Sequence, residues 1–252
     1  LNDKKSFGKL SIISETFQKC CLGDPETDTY FSKLINNTES DFTRYIYFYL
    51  TFLIENDRLV KAKEVTNNIQ YINTTLLLSQ AKSWIQNKNS QKLNEVFSCR
   101  NHNDLISEFF FLISNLYSSQ NDFNKSNFYL NLANYLNPKF VFNLSLLVEN
   151  HFSSQAYGKA KKILKKFNKK DNFYHWYRIK KEAQIIAKQN SITSSLDFIN
   201  VKFKDIKDPS IKMILDIANF NKNAKKYEEA IKYYSQILPK IDIRSFSSGK
   251  PQ

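Results

Sequence analysis

Glycine is nearly missing from this chain: it occurs four times in 252 residues, alongside five prolines. Antiparallel sheets need glycine in their tight turns, and nucleotide-binding α/β folds need it in their phosphate loops. Its scarcity argues against both and for helices. Cysteine is also sparse, limited to Cys20, Cys21 and Cys99. An odd count with one adjacent pair and no CxxC matches neither a disulfide framework nor a zinc site. Buried, inert thiols are the expectation, with a vicinal disulfide or a reactive thiol as the alternatives. No run approaches the roughly 20 apolar residues of a membrane-spanning helix. The most apolar stretch, YIYFYLTFLI at 45–54, is bounded by Arg44 and Glu55 and reads as a buried helix. The chain opens on Leu1 without a signal-peptide pattern and closes on SFSSGKPQ, so we expect truncation.

Residues that could carry out a reaction are equally thin. His102, His151 and His175 form no HxxxH or HExxH spacing, and there is no GxSxG elbow. Glu228 and Glu229 are adjacent and cannot share a helix face, so they read as solvated surface. We expect no enzyme, no cofactor and no metal site.

Aromatic side chains, at 15% of residues, exceed what a disordered chain carries, so the protein is expected to fold. The net charge is +13, yet only five of the 37 basic residues are arginine. Readers of nucleic acid lean on arginine's planar fork. Abundant Lys, Asn, Ile, Phe and Tyr together are what an AT-rich genome produces, and that is our reading of the charge.

Apolar residues recur at helical spacing in short segments, separated by polar breaks such as SSQND, NKKDN, AKQNS and KDPS. A repeat lies beneath this. Residues 108–139, EFFFLISNLYSSQNDFNKSNFYLNLANYLNPK, align with 142–172 after a shift of about 34. Further shifts reach 178–199 and 212–238, and weaker copies lie at 45–69 and 75–97. The first 35 or so residues suggest a helix near Phe7 to Cys21 and another near Thr29 to Asn36.

A helix–turn–helix of this length resembles the tetratricopeptide repeat. In the repeat beginning at Ser107, the first-helix places of that family fall on Phe110, Ile113, Ser114 and Tyr117. The second-helix places fall on Ser126, Leu130, Ala133 and Pro138. Repeats from Val141, Trp176 and Ile211 follow, with Val148, His151 and Asn221 departing from the pattern. YEEAIKYYSQIL is its most family-like phrase. The central phrases are similar to long repeat proteins of alphaproteobacterial type, which implies bacterial cytoplasm or periplasm without choosing between them. The resemblance implies an all-α, right-handed α-solenoid of about six antiparallel helix pairs. Its divisions are an irregular N-terminal cap at 1–42, divergent pairs at 43–106, repeats at 107–242 and a frayed end at 243–252.

The same resemblance implies a non-catalytic scaffold or adaptor that holds a protein or peptide partner on the concave face, lined by the first helix of each pair. The residues it places there include Glu108, Phe111, Asn115, Phe142, Ser145, Tyr177, Lys180, Lys212 and Asn219. Asn115 and Asn219 stand at the place where peptide-binding members hold a ligand's backbone. The alternative is nucleic acid or an anionic membrane surface on the basic stripe YGKAKKILKKFNKKD, through Lys161, Lys162, Lys165, Lys166 and Lys169. A solvated face of lysine stems covering apolar neighbours is the simpler account of that stripe.

Overall fold

The computed structural model describes residues 9–36, 43–69, 75–169 and 171–240. The expected frayed end at 243–252, the first eight residues, Thr74 and Lys170 lie outside them. Among the described residues every regular element is helical. In order they are α1 (Lys9–Leu22), α2 (Thr27–Ile35), α3 (Thr43–Glu55), α4 (Leu59–Asn67), α5 (Leu76–Gln86), α6 (Lys92–Val96), α7 (His102–Ser119), α8 (Phe123–Leu136), α9 (Asn143–Ser153), α10 (Tyr157–Leu164), α11 (Asn172–Gln189), α12 (Ile192–Lys204), α13 (Ile211–Asn223) and α14 (Tyr227–Ile237), with a 3-10 turn at Leu238–Lys240. No helix among them is long and apolar enough to cross a membrane.

The polar breaks start and stop these helices. Asp122, Asp171, Ser191 and Ser210 each accept a backbone N–H from the first turn of the helix that follows, satisfying donors that a helix leaves orphaned at its start. The stops have one recurring form. Gly23, Asp57, Lys88, Asn121, Gln155 and Lys225 all adopt φ between +57° and +68°. Each sits just after the first helix of a pair. The first five are spaced 31 to 34 residues apart, and Lys225 stands 70 residues, two slightly longer steps, beyond Gln155. At all but Gln155 the next residue's N–H reaches back five positions: Asp24 to Lys19, Arg58 to Leu53, Asn89 to Trp84, Asp122 to Tyr117 and Lys226 to Asn221, at 2.8–3.0 Å. This closes the helix end in the Schellman manner. The expected irregular start therefore carries the same turn as the other pairs, at Gly23.

The chain divides into two units, residues 1–70 with 74–163, and residues 71–73 with 164–252. In the first, α3 is buried on every side, through Tyr45, Tyr47, Phe48, Tyr49, Leu50, Thr51 and Leu53, as a helix apolar all round must be. Aromatic rings meet around it: Phe48 lies 4.5 Å from Phe97 and 5.3 Å from Phe17, and Tyr47 lies 5.5 Å from Phe140. In the second unit, Trp176, Ile179 and Ala183 of α11 pack with Leu196 and Ile199 of α12 and with Met213 and Ile217 of α13. Small or slim residues occupy the crossings in both. Ser114, Val148, Ala183 and Ala218 are buried on first helices, and Ser126, Ala160, Ser195 and Ala230 on second helices. A larger side chain at these points would hold the helix axes apart.

The cysteines depart from expectation. Cys20, on α1, is disulfide-bonded to Cys99, 79 residues away, with Cα atoms 5.8 Å apart. The adjacent pair is thus not the bonded one. Successive residues on a helix point about 100° apart, so Cys20 faces the core while Cys21 stays free and half-buried.

Two predictions follow from these turns and this bond. Lys88→Gly and Lys225→Gly should each raise stability by about 1 kcal/mol, because glycine adopts φ > 0 without the steric penalty that an L side chain meets. Urea unfolding would show it, and a lowered midpoint in both variants would refute the left-handed turn as a cost. Reductant, or Cys20→Ser, should lower stability by about 4 kcal/mol, the loop-closure entropy of so long a loop. Alkylation of the denatured, unreduced chain should label one cysteine; three labels would refute the bond.

Candidate functional site

Of the first-helix residues singled out in the first unit, several turn inward. Glu108 is fully buried and paired with Arg44: Nε donates to Oε1 at 2.8 Å and Nη2 to Oε2 at 2.6 Å. The guanidinium lies over Phe111, 3.8 Å from the ring centroid, with Phe142 at 4.9 Å, Phe140 at 5.3 Å and Phe48 at 5.4 Å. Phe111 and Phe142 thus wall an arginine; Phe111 is buried and Phe142 half-buried. Ser145 is buried and donates to the Phe142 carbonyl. Burial pushes the Glu108 carboxyl upward in pKa, and Arg44 opposes the shift. Arg44 Nη1 is buried and finds no hydrogen-bond partner among the described residues. Asn115, by contrast, is exposed.

A polar network behind this face fixes α7, α8 and α9 together. Asn150 donates to Ser126 Oγ at 2.7 Å and to Asn127 at 2.9 Å, and accepts from Ser118 Oγ at 2.6 Å. Each buried amide hydrogen bond here holds a register, since a slip would leave it unpaired.

The second unit gathers its candidates more openly. The Trp176 indole N–H donates to Asp216 at 2.9 Å, and Lys180 Nζ reaches the same carboxylate at 3.1 and 3.3 Å. The Lys180 and Asp216 side chains keep 26% and 19% of their exposure, enough for solvent to reach both. Lys212 lies one helical turn before Asp216 on α13, on the same face. Burial, opposed by Asp216 and reinforced by the charge of Lys180, holds its ammonium below the ordinary lysine range. Asn219, a turn further on, is exposed and accepts from the Tyr234 hydroxyl at 2.7 Å. Tyr177 is half-buried with its ring 5.4 Å from Phe167. Lys180, Lys212 and Asn219 therefore share one surface with Asp216, a residue that sequence reasoning missed; its spacing of 36 from Lys180 is the available signal.

The basic stripe is as solvated as a lysine-rich helix allows. Lys161, Lys162, Lys165, Lys166 and Lys169 are exposed, above buried Ile163, Leu164 and Phe167. Among the described residues no three His, Cys, Asp or Glu side chains group as a metal site. His151 and His175 are each held below the ordinary histidine range, first by burial and then by nearby lysine or arginine charge. In comparisons with known proteins, no family model and no curated protein matches the chain.

Glu108→Ala should cost about 3–5 kcal/mol, the usual penalty for stranding one member of a buried ion pair. Replacing both members, as Arg44→Met with Glu108→Leu, should recover most of that loss. Urea unfolding of the three variants checks it; a double variant no better than Glu108→Ala would show that the pair is not acting as a pair.

Proposed function

We propose that this protein is a non-catalytic scaffold or adaptor, a right-handed α-solenoid of tetratricopeptide-like helix pairs whose first helices hold an extended segment of a protein partner. The observation that carries the reading is a shared displacement. In the first unit Asn143 of α9 donates to Ser107 of α7, and in the second Asp216 of α13 meets Lys180 of α11, each pair 36 residues apart. First helices one repeat apart therefore touch within each unit, as stacked pairs do. Arg44, Glu108 and Phe142 support it further. All three hold the second place of their helix pair, and they converge on one another.

A face of parallel helices offers side chains at fixed intervals, suited to an extended backbone with alternating contacts. Asn115 in the first unit and Asn219 in the second are exposed amides on first helices. The exposed lysines of α10 and the turn after it give the competing reading, capture of nucleic acid or anionic lipid, whose affinity would fall steeply with salt.

Substituting Asn115, Asn219 and Lys212 together by alanine should abolish capture on an array of extended ten-residue peptides, with helical circular dichroism unchanged. Retained capture by the triple variant would sink the groove reading. Salt-sensitive binding of RNA or anionic vesicles in place of any peptide would favour the α10 stripe.

A further inference from the structure

We infer that the Cys20–Cys99 bond is installed by a disulfide oxidant while the chain folds, and that this protein is therefore completed in an oxidising compartment. The bond's role does not depend on what the first helices hold.

Both cysteines belong to the core. Cys20 keeps 1% of its exposure and Cys99 2%, so neither an oxidant nor a reductant meets the sulfurs in the finished fold. Packing that does not use the bond presents them to each other. The segment holding Cys99 is pinned on both sides: the Ser98 N–H donates to Asp104 at 3.0 Å, the Ser98 hydroxyl to Glu55 at 2.8 Å, and the Arg100 guanidinium to Asn56 at 3.3 Å. On α1, Phe17 meets Phe48 at 5.3 Å and Phe97 at 6.1 Å between ring centroids. Phe17 stands one turn before Cys20, and Phe97 shortly before Cys99, so docking α1 through these rings brings the two sulfurs together. A bond so buried, joining residues 79 apart, is structural; catalytic and redox-sensing cysteines need an accessible sulfur. Structural disulfides form and persist where the surroundings are oxidising. In a reducing cytosol both thiols would be kept reduced until α1 docked, and would then be buried as thiols. The chemistry is a two-step exchange. One cysteine thiolate attacks a disulfide R–S–S–R of the oxidant, forming a mixed disulfide and releasing one R–S⁻. The other attacks the cysteine sulfur of that mixed disulfide, its bond to the R–S group breaks, and a second R–S⁻ leaves. Two electrons pass from the cysteines to the oxidant, a protein or small-molecule disulfide, and the two protons end on the released thiols. Both steps need open sulfurs, so they precede the docking of α1.

The test counts free thiols on the full chain by compartment. Cells that encode the protein are quenched with acid and fractionated, and the denatured chain is tagged with a maleimide polymer that shifts an immunoblot band once per thiol. The chain should lie outside the cytosol and show one shift. In a bacterial host, the chain made in the reducing cytosol should show three shifts, one for each cysteine. The same chain exported behind a cleavable leader should show one, and exported Cys21→Ser should show none. A cytosolic location in the source cells, or one shift in the host's cytosolic product, would overturn the oxidising compartment. Three shifts after export would overturn the bond itself. A dithiol reductant should open the bond of the exported, folded chain at least about tenfold more slowly than that of the urea-unfolded chain, because exchange requires access to a sulfur. Equal rates would show the sulfurs to be open in the finished fold and would overturn the structural assignment from which the compartment follows.

Discussion

Six of the helix pairs among the described residues turn on a residue that must leave the ordinary region of backbone space, while α11 ends at Asn190 with φ −121°. Six first helices end this way, and glycine fills the position once, at Gly23. Asp57 and Asn121 tolerate it because short polar side chains hydrogen-bond locally, but Lys88, Gln155 and Lys225 have no such relief. The chain repeatedly accepts a small backbone strain at the point that sets the spacing of its helices. What offsets it is the packing those turns make possible, through buried small residues at the crossings of consecutive helices. A composition that drives out glycine thus leaves the fold intact while thinning its margin.

The first unit adds a second constraint. A buried ion pair gains little net stability, because desolvation of both charges consumes most of the attraction. Arg44 and Glu108 nonetheless lie 64 residues apart, in one enclosure of four phenylalanine rings. Moving α3 by one turn against α7 would strand both charges among aromatic faces. The pair therefore acts through the arrangements it penalises: it specifies which helices meet. The Cys20–Cys99 bond does the same for α1 by covalent means, tying it to the segment that leads into α7.

Helices and their pairing were legible in the sequence because apolar periodicity and polar breaks are local signals. The expected helix near Phe7 to Cys21 corresponds to α1 at Lys9–Leu22, and the one near Thr29 to Asn36 to α2 at Thr27–Ile35. Less legible was anything decided between distant residues. Glu108 and Phe111 sat at places that suggested an open face, yet they lie inside, because an arginine two repeats earlier needed both a counter-charge and walls. Cys20 looked like half of an adjacent pair until tertiary packing brought Cys99 beside it. The left-handed turns were hidden for another reason: the residue type that usually announces them is absent from all but one.

The charge of +13 can be weighed in the same physical terms. Part of it sits on the exposed lysines from Lys161 to Lys169, whose interactions fade within about 8 Å at physiological salt. Such charges make a solution property of the whole chain and discriminate poorly among anions. Lys180 is differently placed, its half-buried ammonium 3.1 Å from a carboxylate that the Trp176 N–H also holds. A partly buried pair of this kind is screened less than fully exposed charges are. A partly buried lysine held by a fixed carboxylate therefore contributes more to one arrangement of the chain than a solvated lysine does, although a count of basic residues would rank them equally.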